Sequence, residues 1–164
     1  LILRPATVCG WSPRMRLDLT VNILTNHAVN NRHIKVFGGE QKRPNIHIDD
    51  VTDIYLKALE WPDERINGKV YNAGYENHRV IEIAEMVRNA VGNDVEIVVI
   101  PTDDPRSYHI SSEKIRRDLG FVPKHMIEDA VCELVEAFDT GKIPGPMTDT
   151  RYYNIKTTQM LHNR

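Results

Sequence analysis

The sequence has few of the features that mark membrane, nucleic-acid-binding or disulfide-bonded proteins. Its 164 residues carry a formal net charge of −2, so no basic field favours a nucleic-acid partner. No apolar run approaches the ~20 residues that span a bilayer, and we expect no membrane segment. The two cysteines, Cys9 and Cys132, match no metal or redox spacing and are expected to be free thiols in a reducing cytoplasm. Cys132 falls in an apolar helical pattern, which predicts a place in the core.

What the sequence does contain is the composition of a folded globular protein. Hydrophobic residues make up 41% and charged residues 27%, and the length is enough for one core of ordinary size. Strand-like and helical stretches alternate, which predicts an α/β fold. The strands are predicted at residues 1–8, 34–37, 69–73 and 95–100. The helices are predicted at residues 18–30, 51–60, 81–91, about 112–119 and 127–140, with Asp18 and Asp50 as N-caps of the first two.

The first eight residues, LILRPATV, form a continuous apolar run of the kind found in a central parallel strand buried on both faces. Such a strand needs a neighbour on each side for its N–H and C=O groups. Few other strands in the sequence are candidates. We therefore expect the chain to be a fragment whose missing N-terminal part supplies the rest of a sheet.

Four stretches carry a family resemblance, in this order: LRPATVCGWSPR, KVFGGEQKRPNIHIDDV, VYNAGYEN and DPRSYHISSEKIRRDLGF. Together they resemble the C-terminal part of nucleotide-sugar epimerases and dehydratases, which belong to the extended short-chain dehydrogenase/reductase family. The resemblance extends through Gly120 at least. It implies an NAD-dependent enzyme that oxidises a sugar hydroxyl transiently and returns the hydride. C4 epimerisation of the UDP-glucose 4-epimerase kind is the first expectation, and 4,6-dehydration is the alternative.

The resemblance also implies how the chain is organised. Residues 1–33 would be the end of a Rossmann-type sheet with its loop and helix, residues 34–140 a small mixed α/β substrate domain, and residues 141–164 a C-terminal tail. The partners implied are a nucleotide-diphosphate sugar, the missing N-terminal cofactor domain and, for the whole enzyme, a second copy in a homodimer.

The catalytic and cofactor motifs of that family do not occur in these residues. No G-x-x-G-x-x-G turn for the NAD pyrophosphate is present. A tyrosine followed four positions later by lysine occurs only at Tyr152 and Lys156, in a tail with flanking proline and glycine. We therefore predict no catalytic residue here, no assignable NAD-binding residue, and no activity of the chain alone. A non-catalytic nucleotide-sugar-binding module or an interaction fragment remains the alternative.

Two arginines are the main candidates for substrate binding. Arg43 offers a planar fork of donors suited to a diphosphate, and the resemblance gives it that role. The alternative is a surface arginine paired with Asp49 or Glu40. Arg106 matches an arginine that closes over the nucleotide, although Asp103 and Asp104 could satisfy it locally.

Other candidates lie on the first strands and the first helix. The resemblance places the nucleobase against the strand that contains Val36 and Phe37, whereas a plain core strand is the alternative. Asn22, near the start of a helix, could offer its amide to a sugar phosphate. Thr7 stands where the family often has asparagine. Arg14 and Arg16 lie in a loop over the sugar site implied by the resemblance. Cys9 and Pro101 depart from the family pattern. We do not expect a metal site at His47, Asp49, Asp50 and Asp53.

Overall fold

The computed structural model describes residues 1–103 and 106–162, which form seven strands and seven α-helices. The strands are β1 (Ile2–Pro5), β2 (Thr7–Cys9), β3 (His33–Phe37), β4 (Lys42–His47), β5 (Val70–Ala73), β6 (Glu76–Arg79) and β7 (Glu96–Ile100). The helices are α1 (Thr20–Asn31), α2 (Ile48–Ala58), α3 (Asp63–Ile66), α4 (Val80–Val91), α5 (Glu113–Leu119), α6 (Ile127–Asp139) and α7 (Asn154–His162). A 3₁₀ turn at Thr150–Tyr152 precedes α7.

The strands form three small sheets in which most pairs are parallel. β1 pairs with β5, β3 pairs with β7, and β2 pairs with β4, all in parallel, while β6 joins β4 in antiparallel orientation. The α/β fold class predicted from the sequence is confirmed.

The predicted strand of residues 1–8 is in fact two strands with different neighbours. Residues 2–5 pair with β5 and residues 7–9 pair with β4, so the chain changes partner at Ala6. Pro5 lies at the break, where its lack of an N–H removes a donor from the ladder. Ile2 is 55% exposed within these residues, so burial of this stretch on both faces stays a prediction for a sheet with further strands.

Three clusters of buried side chains hold the fold together. The first joins α1, α4 and α6 to β3, and includes Leu24, Val36, Ile83 and Val131. The second packs β5 and β4 against α2 and α5 around the fully buried Tyr71. The third joins residues 15–17 and α6 to the tail through Tyr153. The tail packs on this cluster, and the Leu17 N–H donates to the Tyr152 carbonyl at 2.9 Å.

Neither of the two predicted aspartate caps starts its helix. Leu19 precedes α1 without a side-chain cap, and Asp18 instead accepts hydrogen bonds from Arg16 Nε and the Asn154 N–H, each at 3.0 Å. α2 begins two residues before Asp50, with the His47 ring nitrogen Nδ1 accepting the Asp49 N–H at 3.1 Å.

None of the helices in the described part of the chain has the length and apolar character needed to cross a bilayer.

Candidate functional site

Two cavities lie beside the start of α1. The first has a volume of about 440 Å³ and is lined by residues of α1, β3 and β4, among them His27, Lys35, Phe37, Gln41 and Arg43. The second has a volume of about 350 Å³ and is lined by β2, the following loop and α1, among them Thr7, Ser12, Arg14, Arg16 and Asn22. Of the predicted substrate residues, Phe37 and Arg43 line the first cavity, and Thr7 and Asn22 line the second.

Arg43 lies on β4 and is half-buried at the wall of the first cavity. Its Nη1 donates to the Lys42 carbonyl at 3.0 Å and to the Arg106 carbonyl at 2.5 Å. Its guanidinium carbon lies 5.7 Å from the centre of the Tyr108 ring. The segment that contains Arg106 is thereby held against Arg43, and the two predicted arginines are neighbours in space.

The alternative partners proposed for these arginines are only partly described. Glu40 forms an ion pair with Arg79 at 2.9 Å. Asp49 is exposed in the first turn of α2. Asp104, an alternative partner of Arg106, lies outside the described residues. The binding roles of Arg43 and Arg106 stay predictions.

Val36 and Phe37, the two candidates for contact with the nucleobase, point to opposite faces of β3 because side chains alternate along a strand. Phe37 is 57% exposed and lines the first cavity together with Lys35. Val36 is 0% exposed and belongs to the core between β3 and the helices. The side chain of Val36 is thus unavailable to a ligand, and only its backbone could contribute to a binding site.

Asn22 is 3% exposed, and its amide already bridges two backbone groups of the chain. Its Oδ1 accepts the Gly10 N–H at 3.2 Å and its Nδ2 donates to the Arg16 carbonyl at 2.9 Å. These bonds close the loop over the second cavity. The amide therefore shapes the loop, and the expected contact of Asn22 with a sugar phosphate stays a prediction.

Three other candidates line the second cavity. Thr7 pairs with Asn45 across β2 and β4. Arg16 forms an ion pair with Asp18 at 3.0 Å, whereas the Arg14 guanidinium donates to the neutral amide of Asn154 at 3.4 Å. The cavity is therefore cationic on its loop side.

Several residues of the first cavity were not predicted from the sequence. Thr20, Ile23, Leu24 and His27 line it from one face of α1. Their three- and four-residue spacing is the signal that could have found them, since such positions share a helix face. Burial, followed by the positive charges of His33 and Lys35, lowers the pKa of His27, which therefore favours the neutral ring.

The two cysteines occupy opposite environments. Cys9 is 2% exposed, and its burial, with the negative charges of Glu76 and Asp50 next in size, raises its pKa to about 12. Cys132 is exposed on α6, so the prediction that it lies in the core is wrong. The buried face of α6 runs through Ala130, Val131, Leu134 and Ala137, and Cys132 lies off that face.

In the folded chain we expect one thiol to react quickly with a thiol-specific disulfide reagent at about pH 8. That thiol is Cys132, because Cys9 is buried and its raised pKa keeps it protonated. The absorbance of the thiolate released from the reagent measures how many thiols have reacted. In denaturant, both thiols should react. Cys132→Ser is the control, and rapid reaction of that folded variant would contradict the assignment.

The described residues do not combine the four candidate metal ligands into a site. Asp49 lies in α2, and His47 packs on the His125 ring with centroids 4.7 Å apart. Within residues 1–103 and 106–162, no group of three or more histidine, cysteine or acidic side chains is arranged to hold a metal ion.

The described residues do not bring Tyr152 and Lys156 together as a catalytic pair, and no NAD site is assigned to them. The glycines do not have the spacing of a pyrophosphate-binding turn. The Tyr152 hydroxyl donates to the Pro144 carbonyl at 3.1 Å, and the Lys156 ammonium lies 4.2 Å from the centre of the Tyr153 ring instead. No chemical step is therefore derived through NAD from these residues.

Comparisons of sequence and of structure with known proteins find similar proteins of the same kind. Residues 1–74 match the model of the NAD dependent epimerase/dehydratase family. A UDP-glucose 4-epimerase from Corynebacterium glutamicum is 32% identical over 100 residues, which cover 56% of this chain and 30% of that protein. The structure of a Thermotoga maritima UDP-glucose 4-epimerase with UDP-glucose is 27% identical, with a TM-score of 0.71 over 85% of this chain and 46% of that one.

A more distant structure shows the same fold. The dTDP-glucose 4,6-dehydratase of Bacillus anthracis, solved in complex with NAD, is 20% identical with a TM-score of 0.68, and the match covers 85% of this chain and 44% of that one. The chain thus spans less than half the length of these relatives. Its ordered motifs, the family-model match over residues 1–74 and its α/β architecture agree, and together they make the chain similar to members of the NAD-dependent epimerase/dehydratase family.

Proposed function

We propose that this chain is the nucleotide-sugar-binding part of an NAD-dependent sugar-nucleotide epimerase. C4 epimerisation of a UDP-sugar is the first candidate reaction, because the curated relative at 32% identity and the solved relative at 27% identity are both UDP-glucose 4-epimerases. A 4,6-dehydratase is the second candidate, supported by a likeness of fold to the dTDP-glucose enzyme.

The position of Arg43 is the observation that carries the proposal. A diphosphate requires a cation able to bond several oxygens, and the guanidinium fork does so in a fixed plane. Arg43 lies at a cavity of about 440 Å³ that also presents the exposed ring of Phe37. In the proposed complex the nucleobase packs against Phe37 and Lys35, and the diphosphate contacts Arg43. Arg106 approaches from the segment held over it.

The second cavity takes the sugar in this proposal. It adjoins α1 on the side of β2 and presents hydroxyl groups of Thr7 and Ser12 with the cationic side chains of Arg14 and Arg16. Hydroxyl and guanidinium groups are suited to hydrogen bonding a polar sugar.

NAD and the catalytic acid–base pair are assigned to residues other than these 164. When bound, NAD would accept and return the hydride of the sugar. Turnover of UDP-glucose by the full-length native polypeptide, and none by this chain, would support the enzyme over a non-catalytic binding module. A full-length polypeptide that binds UDP-glucose without turnover would favour the module.

Replacing Arg43 tests the proposal directly. Arg43→Ala should weaken UDP binding by about 2 kcal/mol, or about 30-fold in Kd, because a charge-assisted contact to the diphosphate is lost. Arg43→Lys should recover only part of the loss, since an ammonium lacks the planar fork. Isothermal titration calorimetry with UDP measures both.

Arg117→Ala is the matched control, because that arginine lies on α5 away from both cavities and is 68% exposed. Its affinity for UDP should equal that of the wild type. If Arg43→Ala binds UDP as tightly as the Arg117 variant, Arg43 does not contact the diphosphate.

A further inference from the structure

The loop of residues 10–17 forms one wall of the second cavity, and polar contacts fix it at both ends. At its start the Gly10 N–H donates to Asn22 Oδ1 at 3.2 Å, and near its end Asn22 Nδ2 donates to the Arg16 carbonyl at 2.9 Å. The Leu17 N–H then donates to the Tyr152 carbonyl at 2.9 Å. Loops usually vary in position unless their backbone groups are bonded to a rigid part of the fold, and these groups are.

Glu133 supplies another anchor, from α6. Its Oε2 accepts the Trp11 N–H at 3.0 Å, across 122 positions of sequence, and lies 3.2 Å from His47 Nε2. The other ring nitrogen of His47 accepts the Asp49 N–H. Nδ1 must then be the acceptor, which places a proton on Nε2, and Nε2 donates to Glu133. Two donors from separate elements thus converge on one carboxylate oxygen.

The environment makes this contact more than a surface hydrogen bond. The side chain of His47 is 3% exposed and that of Glu133 is 35% exposed. Without Glu133, the Nε2–H of a buried histidine and a backbone N–H would both lose their acceptor, and an unsatisfied buried donor is strongly unfavourable. Trp11 is therefore held in place by a hydrogen bond to Glu133, a residue outside the loop.

We propose that Glu133 is a positioning residue for sugar recognition. By fixing Trp11, it sets the path of the next residues, which present Ser12, Arg14 and Arg16 to the second cavity. This inference rests on the proposed function, in which that cavity receives the sugar. Glu133 itself does not line the cavity among the described residues, so it acts through the loop and not by touching the ligand.

The chain offers variants that separate this role from charge and from helix stability. Glu133→Ala removes the acceptor. Glu133→Gln keeps one carbonyl oxygen, which is enough because both donors use a single oxygen. Glu136→Ala is the matched control, since Glu136 lies on the same helix, is 69% exposed and pairs with Lys142. Glu133→Asp, one methylene shorter, replaces the alanine variant if that variant does not fold.

The test compares UDP with UDP-glucose in isothermal titrations of each variant. In Glu133→Ala, the factor by which UDP-glucose binds more tightly than UDP should fall about tenfold, while the affinity for UDP stays unchanged. Glu133→Gln and Glu136→Ala should keep the wild-type factor. The inference is overturned if Glu133→Ala keeps that factor, or if the glutamine variant loses as much as the alanine variant.

Amide hydrogen exchange of the free protein separates failure of this inference from failure of the proposed function. Peptides covering residues 10–17 should exchange faster in Glu133→Ala and at the wild-type rate in Glu133→Gln. If the wild type binds neither ligand, the proposed function fails, and faster exchange confined to the alanine variant still supports the positioning of the loop. Equal exchange in all variants overturns it.

Discussion

Gly10→Ala is expected to lower the free energy of unfolding by about 3 kcal/mol, through strain in the backbone and close contact with the His47 and Glu133 side chains. Gly10 has a φ of +102°, a conformation that L side chains rarely adopt. A Cβ atom there would lie 3.0 Å from Glu133 Oε2 and 3.0 Å from His47 Nε2. Neither group can retreat easily, because each is bonded to the other and the ring of His47 is buried.

Gly68→Ala separates the two contributions. Gly68 has a φ of +69°, and a Cβ atom added there meets nothing within 4 Å. This control should therefore show only the backbone contribution, about 1 kcal/mol. Urea denaturation measures both changes, and the Gly10 variant should also melt roughly 6–12 °C lower than the wild type. Equal losses in the two variants would mean that the contact with Glu133 and His47 contributes nothing.

The elements predicted best from the sequence are the long amphipathic helices. The predicted ranges 81–91 and 127–140 differ by one residue from α4 (Val80–Val91) and α6 (Ile127–Asp139). Each places apolar residues on one face over three turns, so local periodicity and burial agree. Their faces then pack with α1 around Ile83 and Val131 to form the first core cluster.

The strand β6, by contrast, was not predicted and has no local signal. Its sequence is ENHR, without alternation or a β-branched residue. It is a strand because it pairs with Lys42–Asn45 of β4, more than thirty positions earlier in the chain. Such pairing reflects tertiary context, which overrides local propensity. β4 begins with the polar residues Lys42 and Arg43, which likewise give no strand signal of their own.

The candidate site shows a similar division between residue type and placement. The motif around Arg43 led to an arginine that lines a cavity, but its contact with the Arg106 carbonyl spans 63 positions and could not be deduced from spacing. The strand pattern made Val36 and Phe37 equal candidates for contact with the nucleobase. Only the core beneath β3 determines that Phe37 is the exposed side chain. The bonds from Asn22 to Gly10 and Arg16 could not be predicted, because these partners lie in a loop folded back from the preceding strand.

Asp50 shows how a single buried carboxylate can organise distant segments. The sequence predicts it as a helix cap, yet its side chain is 2% exposed and bonds to residues far from α2 in the sequence. It accepts the N–H groups of Lys124 and His125, each at 3.0 Å, and its Oδ1 lies 3.2 Å from His125 Nδ1. Asp50 therefore ties α2 to the turn that leads into α6, the helix that carries Glu133.

Asp50→Ala should lower the free energy of unfolding by about 3–4 kcal/mol, because two backbone donors and a histidine lose a charged acceptor in a buried site. Asp50→Asn should lower it by about half as much, since one acceptor oxygen remains. Asp49→Ala is the matched control. The neighbouring aspartate is 63% exposed and its substitution keeps the N–H that bonds to His47, so a change of no more than about 0.5 kcal/mol is expected. Urea denaturation measures the change in all three variants, and the m-values should equal that of the wild type. Similar losses at Asp49 and Asp50 would show that the bonds to Lys124 and His125 do not hold the turn, and the path of α6 would then have to depend on its apolar face alone.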